Sequence, residues 1–275
     1  MESFNSSEAG FGCGYSSRRS RLFGTLRALQ RSPVGIVGVL ITACVVFLAL
    51  FGSWVSPHDP SRSNLRARFE APGFADENGV YLLGTDQLGR DVLSRIIAGS
   101  RVSVTVGVTA VGVAGSIGVV YGVVSAFIGG WVDALLMRVA DAFLSIPFMI
   151  IAVAVSGVVG PGLITIVLIL ALVNWVTYAR IVRSEVLSVK EQEYVLAARA
   201  LGQTAPRIMS KHVVPNVIPC AIVVATLEIA VTILAESSLS FLGLGVQPPA
   251  ITWGLMLADG RQYLGSAWWM ATFPG

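Results

Sequence analysis

Charge is scarce in this chain. Only 13% of its 275 residues are Asp, Glu, Lys or Arg, against 54% hydrophobic residues and a mean hydropathy of +0.74. That balance excludes an ordinary water-soluble domain and places the chain in a bilayer, where apolar runs of about 20 residues cross as helices. Cysteine is equally sparse. Cys13, Cys44 and Cys220 are far apart, with no Cys-x-x-Cys pair and no neighbouring His, so neither a disulfide framework nor a zinc site is expected. His58 and His212 stand alone and suggest no metal. The chain also lacks a Gly-x-x-x-x-Gly-Lys-Ser/Thr phosphate loop, a Gly-x-Ser-x-Gly elbow and a His-Glu-x-x-His helix. It is therefore not expected to be an enzyme or to hold a cofactor of its own. A net charge of +3 invites a nucleic-acid reading, but the basic residues flank apolar spans, where they set orientation instead.

What is present is a series of apolar runs. Residues 1–32 form a polar, partly disordered tail carrying Arg18, Arg19, Arg21, Arg27 and Arg31. Twin Arg18-Arg19 looks like an export signal, yet the run at 34–55 is too long for a signal core and no Ala-x-Ala cleavage site comes after it. It is expected to stay as a first crossing, with residues 33–100 comprising that helix and a hydrated outer loop. Further runs lie at 102–128, 134–158 (kinked by Pro147), 163–178 and 217–235, and an apolar start lies at 267–273. The expected fold is an all-α membrane protein with five complete transmembrane helices plus the start of a sixth. Residues 101–275 form its core, which contains a hydrophilic loop at 179–216 and lacks the last helix. With the amino terminus cytoplasmic, the tail arginines, Arg138, Arg180, Arg183, Lys190, Arg199, Arg207 and Lys211 lie inside. Arg62, Arg66, Arg68, Arg90, Arg95, Arg101 and Arg261 lie outside.

The most informative segment is that hydrophilic loop. Tyr194-Val195-Leu196-Ala197-Ala198-Arg199-Ala200-Leu201-Gly202 reads as a short helix with a sharp stop, because alanines favour helix and Gly202 can take the left-handed conformation that ends one. Pro215, in Val213-Val214-Pro215-Asn216, marks entry to the next element. Ala-Ala, three residues, Gly, and Pro thirteen residues later resemble the cytoplasmic coupling loop of binding-protein-dependent ABC importer permeases. The resemblance implies that Ala197, Ala198, Gly202 and Pro215 dock into a partner ATPase. Leu196 and His212 depart from the pattern, which has Glu and an aliphatic residue at those places, so no carboxylate is assigned to that contact.

Other segments are similar to the C-type permeases of dipeptide, oligopeptide and nickel importers. These are Leu83-Gly84-Thr85-Asp86 with Gly89-Arg90-Asp91, then Asp133 to Arg138, Asp141 through Pro147, Glu236 through Pro249, and Trp253-Gly254. The resemblance implies an importer of short peptides, with nickel as an alternative cargo. It also implies a heterodimer with a second permease, two ATPase subunits that bind ATP and Mg, and an extracytoplasmic solute-binding protein. Asp86, Arg90 and Asp91 are candidates for contact with that binding protein, or for pairing among themselves. Asp141, Asn174 and Glu236 are candidates for the translocation path or for structural hydrogen bonds, since polar groups inside spans face a cavity or a partner. Glu228 reads as structural. Gly118-x-x-x-Gly122, extended by Ala114, reads as a helix-packing face. A rival from another class is an autonomous ion-coupled transporter in which Asp141, Glu228 and Glu236 relay protons or cations.

Overall fold

The computed structural model describes residues 33–77 and 79–275; the basic tail at 1–32 lies outside the described residues. The chain divides at Cys44/Val45 into two units. The first contributes the opening turns of α1 (Pro33–Val55), and the second holds every later element. The molecule is mostly helical, and among the described residues four helices are long and apolar enough to cross a membrane, or five with one bent pair counted as a span.

After α1 the polar segment is built, not merely hydrated. It holds a turn at Leu65–Ala67 and an antiparallel hairpin of β1 (Phe74–Asp76) and β2 (Gly79–Tyr81), with Phe74 opposite Tyr81. Helix α2 (Val92–Ile128) begins ten residues before the apolar run that was expected to define it. Its start is set by a cap: the Asp91 carboxylate accepts the Ser94 backbone N–H at 3.0 Å, satisfying a free donor of the first turn.

The expected kinked helix at 134–158 is instead two helices, α3 (Gly130–Ser145) and α4 (Phe148–Val159), whose axes bend by 86°. Pro147 explains the break. It disfavours helical geometry in the residue before it, and Ile146 accordingly lies extended at φ −86°, ψ 121°. Helix α5 (Leu163–Lys190) continues twelve residues past the point where the sequence turns hydrophilic. Val182, Val186 and Val189 recur at helical spacing there, and the buried stripe they make keeps the helix packed.

The hydrophilic loop is therefore shorter than expected. It contains α6 (Glu193–Ala200) and α7 (Ala205–Ile208), then a π-helical turn at Met209–Val213 that feeds α8 (Val214–Phe241). Pro215 stands in the first turn of α8, and Pro206 in that of α7. The Pro215 ring would meet the carbonyl four residues back in a regular α-helix. The preceding turn is wider, with the Val214 N–H bonded to the Met209 carbonyl.

The remainder comprises α9 (Trp253–Gly260), a turn at Arg261–Tyr263, and α10 (Trp269–Thr272). The apolar residues at 267–273 hold α10. Ala267, Trp269 and Met270 are buried against Val92 and Met256, and the Trp269 indole N–H donates to the Thr85 carbonyl at 3.1 Å.

Helices α2, α5 and α8 form the centre. Val106 and Ala110 of α2 meet Ile166 and Ile169 at the start of α5, whereas Val123 and Ala126 meet Val182 and Val186 near its end, so the two run in the same direction. Helix α8 runs back, with Val217 in the cluster at the α6 end and Leu239 in the cluster at the other. Close approach of α2 to α5 requires Gly118 and Gly122. A Cβ at Gly118 would lie 2.4 Å from the Tyr178 Cβ, and one at Gly122 would lie 2.5 Å from the Ala179 carbonyl oxygen.

Candidate functional site

Helix α6 lies at the end of the molecule where α2 finishes, α5 finishes and α8 begins. Val195 and Ala198 are buried among Val186, Val189, Ile208 and Val213. The opposite side is bare: Leu196 is 48% exposed, Leu201 is 82% exposed, and Ala197, Ala200 and Gly202 are exposed beside them. The four residues singled out in this loop therefore divide. Ala197 and Gly202 face outward, Ala198 anchors the helix from within, and Pro215 sits in the first turn of α8.

The stop after α6 is local chemistry. Gly202 has φ +73°, its N–H donates to the Arg199 carbonyl at 3.0 Å, and the Gln203 N–H donates to the Ala198 carbonyl at 3.1 Å. These are the paired bonds of a Schellman turn, with glycine at the left-handed position.

Below α6, three helices are fastened to one another. The Arg183 guanidinium donates two parallel bonds of 2.6 Å to the Asp133 carboxylate, linking α5 to α3. Ser125 of α2 donates to the same carboxylate. The Lys190 ammonium donates to the Ala126 carbonyl at 2.7 Å, meeting the unsatisfied carbonyls at the α2 C-terminus. The base on which α6 packs is thus tied to α2, α3 and α5. None of these contacts is legible in the sequence, since Asp133 and Arg183 are fifty residues apart and only the folded topology joins them.

The candidate path residues are not brought together. Asp141 pairs with Arg180, and both side chains are about half exposed. Asn174 of α5 donates to the Thr232 hydroxyl of α8 at 2.9 Å. Glu236 is wholly buried and accepts from the Ser240 hydroxyl at 2.8 Å.

At the other end, Asp86 and Asp91 are 4% and 2% exposed and turn inward. One Asp86 oxygen accepts the Leu88 and Arg90 backbone N–H groups at 2.8 and 2.9 Å. The other accepts from the Arg90 and Arg95 side chains. Asp91 caps α2 and also faces the His58 ring, which stacks on Tyr81. Among the described residues no cluster of His, Cys, Asp or Glu could hold a metal ion.

Comparison with known proteins bears on this arrangement. Residues 118–274 match the family described as binding-protein-dependent transport system inner membrane component. Residues 20–72 match the N-terminal TM domain of oligopeptide transport permease C. The chain is 40% identical to the di/tripeptide transport system permease protein DppC of Pseudomonas aeruginosa (strain UCBPP-PA14), covering 86% of this chain and 79% of that protein. It is 37% identical to the oligopeptide transport system permease protein OppC of Bacillus subtilis (strain 168), covering 89% and 79%. It is 36% identical to the probable D,D-dipeptide transport system permease protein DdpC of Escherichia coli (strain K12), covering 90% and 81%. Among solved structures, a chain of the inward-facing MetNI methionine ABC transporter superposes with a TM-score of 0.55 at 19% identity, covering 66% of this chain and 86% of that one, a likeness of fold.

Proposed function

The chain belongs to the binding-protein-dependent transport system inner membrane components, among the dipeptide and oligopeptide permeases, and from that premise we propose that it is the translocating subunit of an ATP-driven importer of short peptides. It is a multi-pass inner-membrane transporter subunit rather than a catalytic enzyme. In this reading it lines the path together with a second, related permease. Two ATPase subunits bind ATP and Mg and engage the exposed side of α6, and an extracytoplasmic binding protein delivers the peptide. The similar permeases are named for peptides, which favours peptide over nickel as cargo.

One observation carries the reading. The outward face of α6 is a small apolar knob of Leu196, Ala197, Leu201 and Gly202, and its base is fastened through Lys190 and the Asp133–Arg183 pair to the central helices. That shape suits transfer of a mechanical push. When the ATPases close, α6 moves with its base, and the long helices tilt so that access alternates between the two membrane faces.

The test is reconstitution of the full complex, with its second permease, ATPases and binding protein, in liposomes. ATP-dependent uptake of a dipeptide or a longer peptide is the expected result. Uptake that proceeds equally without ATP would overturn the reading in favour of ion coupling, and uptake of nickel alone would overturn the cargo.

A further inference from the structure

A cleft of about 580 Å³ lies between the C-terminal part of α1 and the start of α2, at the end of the molecule opposite α6. Its depth in the membrane follows from three marks. At about 1.5 Å per residue the 23 residues of α1 are long enough to cross a hydrocarbon core of about 30 Å, so the last turn of α1 stands at a membrane interface. Trp54, 85% exposed in that turn, is of the residue type that collects there. On α2 the apolar run begins immediately after Arg101, which puts Arg101 at the same boundary.

The cleft has two kinds of wall. Leu48, Ala49 and Leu50 supply apolar surface, and Ser53, Asp59 and Arg101 supply polar groups. Its shape is fixed by close contacts. Helices α1 and α2 touch where Gly52 meets Ile97, and a Cβ at Gly52 would stand 2.8 Å from the Ile97 side chain. The segment leaving α1 is pinned to α2, since the Ser56 hydroxyl donates to the His58 carbonyl at 2.7 Å and the His58 backbone N–H donates to the Ser94 hydroxyl at 3.0 Å.

Two charges in this cleft are left over. One Asp59 oxygen accepts the Ser61 N–H at 2.8 Å, yet neither Asp59 nor Arg101 has an ion-pair partner among the described residues, and both are exposed. A cation and an anion beside an apolar wall, at the depth of the headgroups, match an amphiphile that carries one charge of each sign. A water-soluble zwitterion would satisfy the charges but leave the apolar wall bare.

We propose that this cleft is a binding site for a glycerophospholipid with a phosphoethanolamine headgroup. An acyl chain lies along Leu48 and Leu50. The phosphate accepts from the Arg101 guanidinium, whose flexible stem reaches the headgroup level, and the ammonium donates to Asp59. The lipid thereby bridges α1 and α2. The site requires only that the chain stands in a membrane, and depends on neither the cargo nor the energy source.

The test uses the assembled complex, purified in detergent and stripped of lipid. It is titrated with dioleoyl phosphatidylethanolamine or dioleoyl phosphatidylglycerol, and bound lipid is counted by native mass spectrometry. The parent should hold the ethanolamine lipid about tenfold more tightly than the glycerol lipid, which offers Asp59 no cation. R101Q should weaken both lipids about tenfold, and D59N should weaken only the ethanolamine lipid and erase the preference. A98F, which fills the cleft, should weaken both, and R66Q, an exposed charge outside the cleft, should weaken neither.

Equal binding by the parent and R101Q would overturn the site. A parent that holds the two lipids equally, with D59N unchanged, would overturn the zwitterionic headgroup. Should A98F fail to assemble, R101Q and D59N, which change single exposed charges, decide. Retention of neither lipid by the parent would also overturn the proposal, and shielding of S53C from an aqueous thiol reagent in a cysteine-free complex would then show that the second permease covers the cleft.

Discussion

At Asp86 every acceptor position of the carboxylate is engaged inside the loop, by two backbone N–H groups and two arginine side chains. Removing it would leave Arg95, whose side chain is 4% exposed, as a buried cation without its partner. Breaking a buried pair from one side costs about 3–5 kcal/mol. Asp86→Ala is therefore expected to loosen the segment at 57–91, read as faster cleavage there by a protease added to membranes. Arg90→Ala should have a smaller effect, because that side chain is 18% exposed and water replaces part of what is lost. Equal cleavage of parent and D86A would contradict this account. Gly118 supports a steric prediction of a different kind. A single methyl placed 2.5 Å from the Trp175 carbonyl oxygen must push α2 off α5, and Gly118→Ala is expected to lose about 1–3 kcal/mol, seen as a lower thermal midpoint in detergent.

Helix α6 is the element whose design was most legible beforehand, and the reason is locality. Its alanines, its glycine stop and its length all act within ten residues, where chain chemistry decides the outcome. The stop can be tested by residue choice. Nothing lies within 4 Å of a Cβ built at Gly202, so a substitution there acts through the backbone alone. Asn tolerates the left-handed conformation and β-branched Val does not. Gly202→Asn should retain most ATP-dependent uptake, whereas Gly202→Val should lose it while reaching the membrane at parent abundance. Normal uptake by G202V would separate α6 from coupling. Elements whose limits depend on distant partners were less legible. Apolar content alone placed the start of α2 at 102, but the Asp91 cap moves it to Val92. A proline predicted a kink in the third run, yet the 86° turn between α3 and α4 is fixed where Ala140 and Ala152 pack among residues of α2 and α5 far along the chain. Likewise Glu236 is recognisable in the sequence as a polar residue in a span, but its complete burial comes from the packing of the folded chain.

Across the whole molecule, the two ends of the central helices differ in character. At one end α6 projects beside Arg199, Arg207 and Lys211, and the ends of α2 and α5 are held by Lys190. At the other, a folded segment of hairpin, turns and the short helices α9 and α10 gathers around Asp86, Trp253 and Trp269. The excess of basic residues near α6 favours the cytoplasm for that end, because Lys and Arg in short loops resist translocation. An ATPase can reach α6 only from there, so orientation and coupling stand or fall together. Single cysteines in a cysteine-free background separate the two faces: Leu82 is 57% exposed in the folded segment and Leu201 is 82% exposed after α6. With a membrane-impermeant thiol reagent applied outside the inner membrane, L82C should label directly and L201C only once that membrane is permeabilised. The opposite pattern would put α6 outside, beyond the reach of any ATP-driven partner. The folded segment would then face the cytoplasm and α6 could not be the element that receives the push.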